Sequence, residues 1–289
     1  MNRKRKNIGG HIFMAVPAFL LFTVFFLYPL VKGLGMSLTN WDGIGQAKFI
    51  GLQNFRSFFS DKRAMSDIRT TLLFALGSAP LLNIAGLAYA LLMNGSFRGK
   101  SAARMFIYMP AIISPLIMGY IWYLLLQPGR GFLFHLLDKV GKGEWFGNWL
   151  GSYGTAMLVL VLVNVWQYAG MTMVIYLAGL QSIPSELYEA GKMDGASGVA
   201  AFRYITLPLL GPSIRINIIT NIIGSLSVFD VVMSLTGGGP GYQTETLSIY
   251  IMRMCYGSKT GYSTAVAVIM FFIILIPVLA ALKLIGEKE

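Results

Sequence analysis

The sequence predicts an all-α integral membrane protein, with six transmembrane helices and a polar helix–Gly–helix elbow between the fourth and fifth. Three observations carry this expectation. Of the 289 residues, 55% are hydrophobic and only 12% charged, about half the roughly 25% charged content of a soluble domain. The apolar residues gather into runs of about 20, the length an α-helix needs to cross a bilayer. A single long polar stretch with helical spacing lies between two such runs.

Taken in order, residues 1–7 carry Arg3, Lys4, Arg5 and Lys6 without an acid, and an apolar run over residues 12–31 follows. A signal peptide also begins basic-then-apolar, but its apolar core is about 7–15 residues long. The longer run here reads as a retained first span with the N-terminus in the cytoplasm. Residues 32–69 are mixed and aromatic, with Trp41, Phe49, Phe55, Phe58 and Phe59. They read as an external, membrane-hugging segment of short amphipathic helices. The second span is expected over residues 70–93 and the third over 105–126. The intervening loop holds Arg98, Lys100 and Arg104 and no acid, which fits an inside position. The fourth span is expected over residues 155–180, the fifth over 212–235 and the sixth over 263–282. After the fifth, Thr236-Gly237-Gly238-Gly239-Pro240-Gly241 cannot continue a helix and opens an external loop. Raw counts of Lys and Arg do not separate the two sides. The acid-free clusters at the N-terminus and in the first internal loop carry the orientation.

Several chemistries are excluded or left without support. The string GSFRGKS, residues 95–101, invites a phosphate-loop reading. Yet only three residues separate Gly95 from Gly99, where backbone wrapping of phosphates needs four, and a membrane span follows rather than a soluble helix. The one cysteine, Cys255, rules out a disulfide framework and a thiolate metal site. His11 and His135 are the only histidines and belong to no catalytic or metal-binding spacing. No catalytic residue, metal ligand or bound cofactor is therefore expected. The net charge of +11 is scattered over loops, so anionic membrane lipids, not nucleic acid, are the expected partners.

Polar side chains inside apolar spans are costly and mark a cavity or a helix contact. Asn164, Gln167 and Tyr168 share one face of the fourth span. Asn217, Asn221 and Ser225 share one side of the fifth, with Asp230 near its outer end. Amides, hydroxyls and an aromatic face suit a polyhydroxylated solute, because they offer donors, acceptors and a flat apolar surface. For each alone, helix–helix hydrogen bonding is the first reading. As a set they are candidates for the lining of a solute path. Asp230 could instead pair with a partner subunit or an external protein.

The elbow, residues 183–208, starts at Pro184, expected at the first helical position. Glu186 and Glu189 fall in the opening turns, where the helix dipole favours negative charge. Leu187, Ala190, Gly191 and Asp194 recur at helical spacing, Gly195 reads as a break, and Val199, Phe202 and Ile205 line a second helix that Pro208 is expected to stop.

Glu189-Ala190-Gly191, three residues, Gly195, nine residues, then Ile205-Thr206-Leu207-Pro208 resembles the EAA loop of the membrane subunits of bacterial ABC importers. Gly191 stands where the family pattern has Ala. The surrounding Asp194 to Ser197 and Phe202-Arg203-Tyr204 are similar to the carbohydrate-uptake branch. So are Asn40-Trp41, Leu52-Gln53-Asn54-Phe55, the Gly-rich segment from Thr236, and Thr244-Glu245-Thr246-Leu247. The resemblance implies a permease subunit of the bacterial cytoplasmic membrane that is not itself an enzyme. A second, homologous permease subunit would complete the path. An ATP-binding cassette ATPase dimer, holding ATP and Mg, would grip the elbow through Glu189, Ala190, Gly191, Asp194, Gly195, Ile205, Leu207 and Pro208. An external or periplasmic solute-binding protein would deliver a sugar, or alternatively a glycerol-phosphate-like solute. A self-sufficient secondary transporter is the competing reading. It would show paired repeats and an intramembrane ion relay, and neither stands out in the chain.

Overall fold

A computed structural model describes residues 15–141 and 147–286, with side chains to residue 284. Arg3 to Lys6, the first residues of the expected first span, His11, Glu144 and Trp145 lie outside the described residues. The helices are α1 (Ala15–Met36), α2 (Gln53–Ser60), α3 (Lys62–Asn94), α4 (Lys100–Ile112), α5 (Pro115–Leu125), α6 (Phe132–Asp138) and α7 (Tyr153–Ser182). They continue as α8 (Ser185–Met193), α9 (Gly198–Leu209), α10 (Gly211–Leu226), α11 (Asp230–Leu235), α12 (Leu247–Tyr256) and α13 (Thr260–Gly286). Among the described residues, the only β pairing is one isolated antiparallel bridge between Thr39 and Phe49.

Helices α1, α3, α7 and α13 are each long and apolar enough to cross a membrane, and two bent pairs raise the number to six if each pair is one span. The expected third and fifth spans each contain a break. Within residues 105–126, α4 and α5 meet at 96°. Ser114 precedes Pro115, whose ring drives the preceding residue out of the helical region, and ψ is 139° at Ile113 and 129° at Ser114. Within residues 212–235, α10 ends at Leu226 and α11 begins at Asp230. Pro208 does not stop the second elbow helix. It lies inside α9, just after a π-helical turn over Phe202–Thr206 in which the Leu207 N–H donates to the Phe202 carbonyl. The break comes at Leu210, where α9 bends 69° into α10.

The chain divides into two compact units, residues 1–62 with 250–270 and residues 63–249 with 271–289. In the first, α1 buries none of its described side chains, as suits a helix facing lipid; Phe25 is 76% exposed. The segment after it folds back on itself: Asn40 N–H donates to Lys48 O and Ile50 N–H to Leu38 O. Asn54, buried on α2, donates from Nδ2 to the carbonyls of Ser37 and Thr39, 2.8 Å each. One amide thus satisfies two carbonyls that the turn leaves without ladder partners. Within residues 32–69, where short amphipathic helices are expected, the chain forms this turn and α2.

In the second unit α7 is the central helix. Its Met173, Tyr176, Leu177 and Leu180 pack with Ala90 and Met93 of α3 and with Leu210. Lipid is as apolar as these side chains, so burial alone does not hold such helices together; close van der Waals approach and interhelical hydrogen bonds do. Gly170 lets α7 touch the α4 backbone: a Cβ there would lie 2.8 Å from Tyr108 Cα. Gly119 on α5 similarly admits Ser234 of α11, with a Cβ falling 2.9 Å from Ser234 Cβ. Tyr176 Oη donates to Asn83 Oδ1 at 2.8 Å, joining α7 to α3.

Candidate functional site

The broken helices create the site. Where α10 stops at Leu226, residues 227–229 leave the helical path, and a cavity of about 360 Å³ opens between α7, α10 and α11. Asn164, Tyr168, Asn217, Asn221, Ser225 and Asp230 all line it, as do Thr172, Thr220 and Ser227. On a straight helix Ser227 and Asp230 would sit on a different side from Asn217 and Asn221; the break brings both sets to one space. Gln167 is not part of the lining. It is completely buried, and its Nε2 donates at 3.2 Å to the Ile113 carbonyl, which the α4–α5 bend leaves outside helical bonding. Helical spacing grouped Gln167 with Asn164 and Tyr168, but a bent neighbouring helix claims it first.

The polar groups in the cavity are only half used. Asn217 Nδ2 donates to the Thr172 carbonyl, and Thr172 Oγ1 donates to Asn221 Oδ1, both at 3.3 Å. Asn164 Nδ2 donates to Ser78 Oγ at 3.3 Å. These bonds tie α7 to α10 and α3, so the helix-contact role holds for three of the amides. Their other ends differ. Asn217 Oδ1, Asn221 Nδ2 and Ser225 Oγ are buried and find no hydrogen-bond partner among the described residues. One acceptor, one donor and one hydroxyl able to do either are left unmatched on residues that line the same space, and each is costly to leave unmet. Asp230 begins α11, where a carboxylate favours the helix N-terminus.

The elbow is built by a helix-ending motif. Pro184 is the residue before the first turn of α8, one position earlier than expected. At the other end the Gly195 N–H donates to Lys192 O and the Ala196 N–H to Gly191 O, at 3.0 and 2.8 Å. This pair of reversed bonds is the Schellman arrangement, which needs a left-handed residue at the position of Gly195; its φ is +80°. Ser197 then caps α9, its Oγ accepting from Ala200 N–H. Gly191, the departure from the EAA pattern, faces Ile205, and an added Cβ would lie 2.6 Å from Ile205 Cδ1. The Tyr188 and Thr206 hydroxyls meet at 3.0 Å and hold the two elbow helices together. Glu189, Ala190, Asp194, Gly195, Leu207 and Pro208 are exposed, and Met193, Val199 and Tyr204 present a bare apolar surface at 89%, 79% and 73% exposure.

Sequence reading missed the contacts of Arg63, Tyr242 and Glu245. The Glu245 carboxylate is fully buried in the loop after α11 and takes both forks of Arg63, at 2.6 and 2.9 Å. These partners are far apart in the chain, and no local pattern links them. In the first unit, a second polar cavity holds Trp41, Asp61, Tyr250, Lys259 and Tyr262. Burial, and then the 2.6 Å hydrogen bond to Asp61, pushes the Tyr250 phenol well above its usual range. It stays a neutral donor to the carboxylate. Among the described residues no group of three His, Cys, Asp or Glu side chains is placed to hold a metal ion.

A family profile described as the binding-protein-dependent transport system inner membrane component matches residues 82–288, a range that takes in the cavity lining and the elbow. The chain belongs to this family. It is a transport permease of an ABC importer, a membrane subunit and not an enzyme. The probable starch degradation products transport system permease protein AmyD of Thermoanaerobacterium thermosulfurigenes is 33% identical over 286 residues, covering 99% of this permease and 96% of AmyD. The multiple sugar-binding transport system permease protein MsmF of Streptococcus mutans is 32% identical, with 97% and 96% covered. Among solved structures, a chain of the bacterial alginate ABC transporter in complex with an alginate pentasaccharide-bound periplasmic protein superposes with a TM-score of 0.82. It is 24% identical over 96% of this permease and 93% of that chain, and shares the fold.

Proposed function

We propose that this permease carries a sugar across the cytoplasmic membrane, with the solute passing through the cavity between α7, α10 and α11. One observation carries the reading: three residues of that cavity's lining, Asn217, Asn221 and Ser225, each hold a buried polar atom (Oδ1, Nδ2 and Oγ) with no hydrogen-bond partner among the described residues. A hydroxyl both donates and accepts, so a polyhydroxylated solute meets all three kinds of group. The volume lies in the range of small-molecule sites, about 300–1,000 Å³. Among the described residues, no Lys or Arg lines the cavity as a fixed countercharge for an anionic solute. The printed functions of AmyD and MsmF, starch degradation products and multiple sugars, point the same way.

The rest of the reading concerns assembly. Residues 1–289 form one permease domain of six spans, four straight and two bent, with the N-terminus and the elbow, residues 183–208, in the cytoplasm. The elbow enters a cleft of an ABC ATPase dimer that holds the ATP and Mg. Its exposed Met193, Val199 and Tyr204 supply apolar contact, and Glu189 supplies a charge for a basic partner. A second, homologous permease completes the path, and a solute-binding protein loads it from outside. Reconstituted with its partner subunits, the complex should transport a sugar with a raised KM when Asn221→Ala or Ser225→Ala is present. Glu189→Lys should lower solute-stimulated ATPase activity while leaving membrane insertion intact. Uptake of glycerol 3-phosphate in preference to every sugar tried, or cavity variants with unchanged KM, would overturn the assignment.

A further inference from the structure

We propose that Arg63 and Glu245 are positioning residues for transport: their ion pair fixes the broken end of the cavity, at residues 227–229, through Thr246. The inference rests on the reading of that cavity as the solute's path. A buried carboxylate persists only when paired and hydrogen-bonded. Glu245 is fully buried and receives Arg63 Nε on Oε2 and Nη2 on Oε1, the two-pronged geometry of strong guanidinium–carboxylate recognition. The other side of the guanidinium is covered by the Tyr242 ring, 3.7 Å from its centroid. Tyr242 holds φ at +65°, a left-handed conformation that bulky residues avoid. A strained backbone at an aromatic residue is retained where the surroundings over-determine it, and here it places the ring against Arg63.

The clamp reaches the cavity by two routes. Thr246, the neighbour of Glu245, donates from Oγ1 to the Val228 carbonyl at 3.1 Å. Val228 lines the cavity in the non-helical break, so its carbonyl has no helical partner to replace Thr246. The loop also leads directly back into α11, which supplies Asp230 and Val231 to the lining. Two further bonds fasten the loop to the same end of α3 that carries Arg63. Thr70 Oγ1 donates to Gln243 O at 3.0 Å, and Leu247 N–H donates to Thr71 Oγ1 at 2.9 Å. Within the loop, Thr236 and Thr244 hydroxyls meet at 2.9 Å. Arg63 therefore acts on the break without touching the cavity.

The test uses the full importer complex in nanodiscs, with Cys255→Ser and Ser227→Cys providing one reporter thiol in the break. Labelling of position 227 by N-ethylmaleimide is measured beside transport KM, kcat and basal ATPase activity. Arg63→Lys, which keeps the charge but loses the fork, and Glu245→Gln should speed labelling several-fold and raise KM, with basal ATPase activity unchanged. Thr246→Val, which removes only the bond to Val228, should do the same, and serves if Glu245→Gln does not assemble. The exchange Arg63→Glu with Glu245→Arg should restore part of the effect. Unchanged labelling in Arg63→Lys and Thr246→Val overturns the proposal. So does a loss of every activity in proportion to lost complex, with no recovery in the exchange. If labelling changes but KM does not, and Asn221→Ala also leaves KM unchanged, the positioning of the break stands and the cavity's assignment as the solute path is what fails.

Discussion

Replacing Gly195 separates the geometry of the elbow from the stability of the membrane body. Gly195 holds φ at +80°, and nothing lies within 4 Å of where a Cβ would stand. Gly195→Ala thus brings no clash, only the left-handed penalty of an L-residue, about 1–2 kcal/mol. Two hydrogen bonds depend on that conformation, Gly195 N–H to Lys192 O and Ala196 N–H to Gly191 O. A cost of one to two kcal/mol changes a local opening equilibrium by a factor of about 5–30. Amide hydrogen exchange on the nanodisc-embedded chain should show that acceleration in residues 191–196, while the thermal midpoint stays put because the elbow packs few buried side chains. Gly195→Asn should cost less, since Asn visits the left-handed region more readily. Gly191→Ala is the control in the opposite direction. It gains about 1 kcal/mol of helix propensity and asks only that the flexible end of Ile205, 2.6 Å from the new Cβ, move aside. Exchange in that variant should be at or below the wild-type rate. Equal exchange in wild type and Gly195→Ala, or equal large effects of Ala and Asn, would refute the reasoning.

Four other substitutions test the packing of the second unit. Gly170→Ala should destabilise the protein by about 1–3 kcal/mol through overpacking against the α4 backbone, whereas Gly154→Ala, with open space around its Cβ, should be neutral or stabilising; thermal unfolding followed by tryptophan fluorescence distinguishes them. Gln167→Leu leaves the Ile113 carbonyl without its side-chain partner, a cost of about 1–3 kcal/mol, and the same unfolding assay should show a lowered midpoint. Glu245→Ala breaks a buried pair, a loss of about 3–5 kcal/mol. Because Arg63 keeps 32% exposure and can regain water, the lower end of that range is expected, again from thermal unfolding of the assembled complex.

Much of this architecture was legible in the residues, for identifiable reasons. Long apolar runs place α1, α3, α7 and α13, because crossing lipid demands length and composition together. The elbow was readable because Gly195 and its spacing from Glu189 and Ile205 answer to one local helix-ending geometry. Bends were not: Pro115 displaces Ser114 from the helix, whereas Pro208, which follows a π-turn inside α9, stops nothing and the chain bends at Leu210 instead. Hydropathy sums over such features. Spacing put Asn164, Gln167 and Tyr168 on one face of α7; Asn164 and Tyr168 line the cavity and Gln167 does not, since spacing cannot see the Ile113 carbonyl that takes its amide. The Arg63–Glu245 pair was invisible for a related reason, as a lone acid in a Thr- and Gly-rich loop carries no sign of a partner on α3.

Photo-crosslinking of a transported sugar during turnover bears most directly on the cavity as the solute path. A photoreactive derivative, bound to the complete importer and mapped by peptide analysis, should label residues within 217–231 on α10, the break and α11, and the label should be displaced by unmodified sugar. Displaceable label confined to the cavity beside Trp41 and Asp61, with none in residues 217–231, would contradict it.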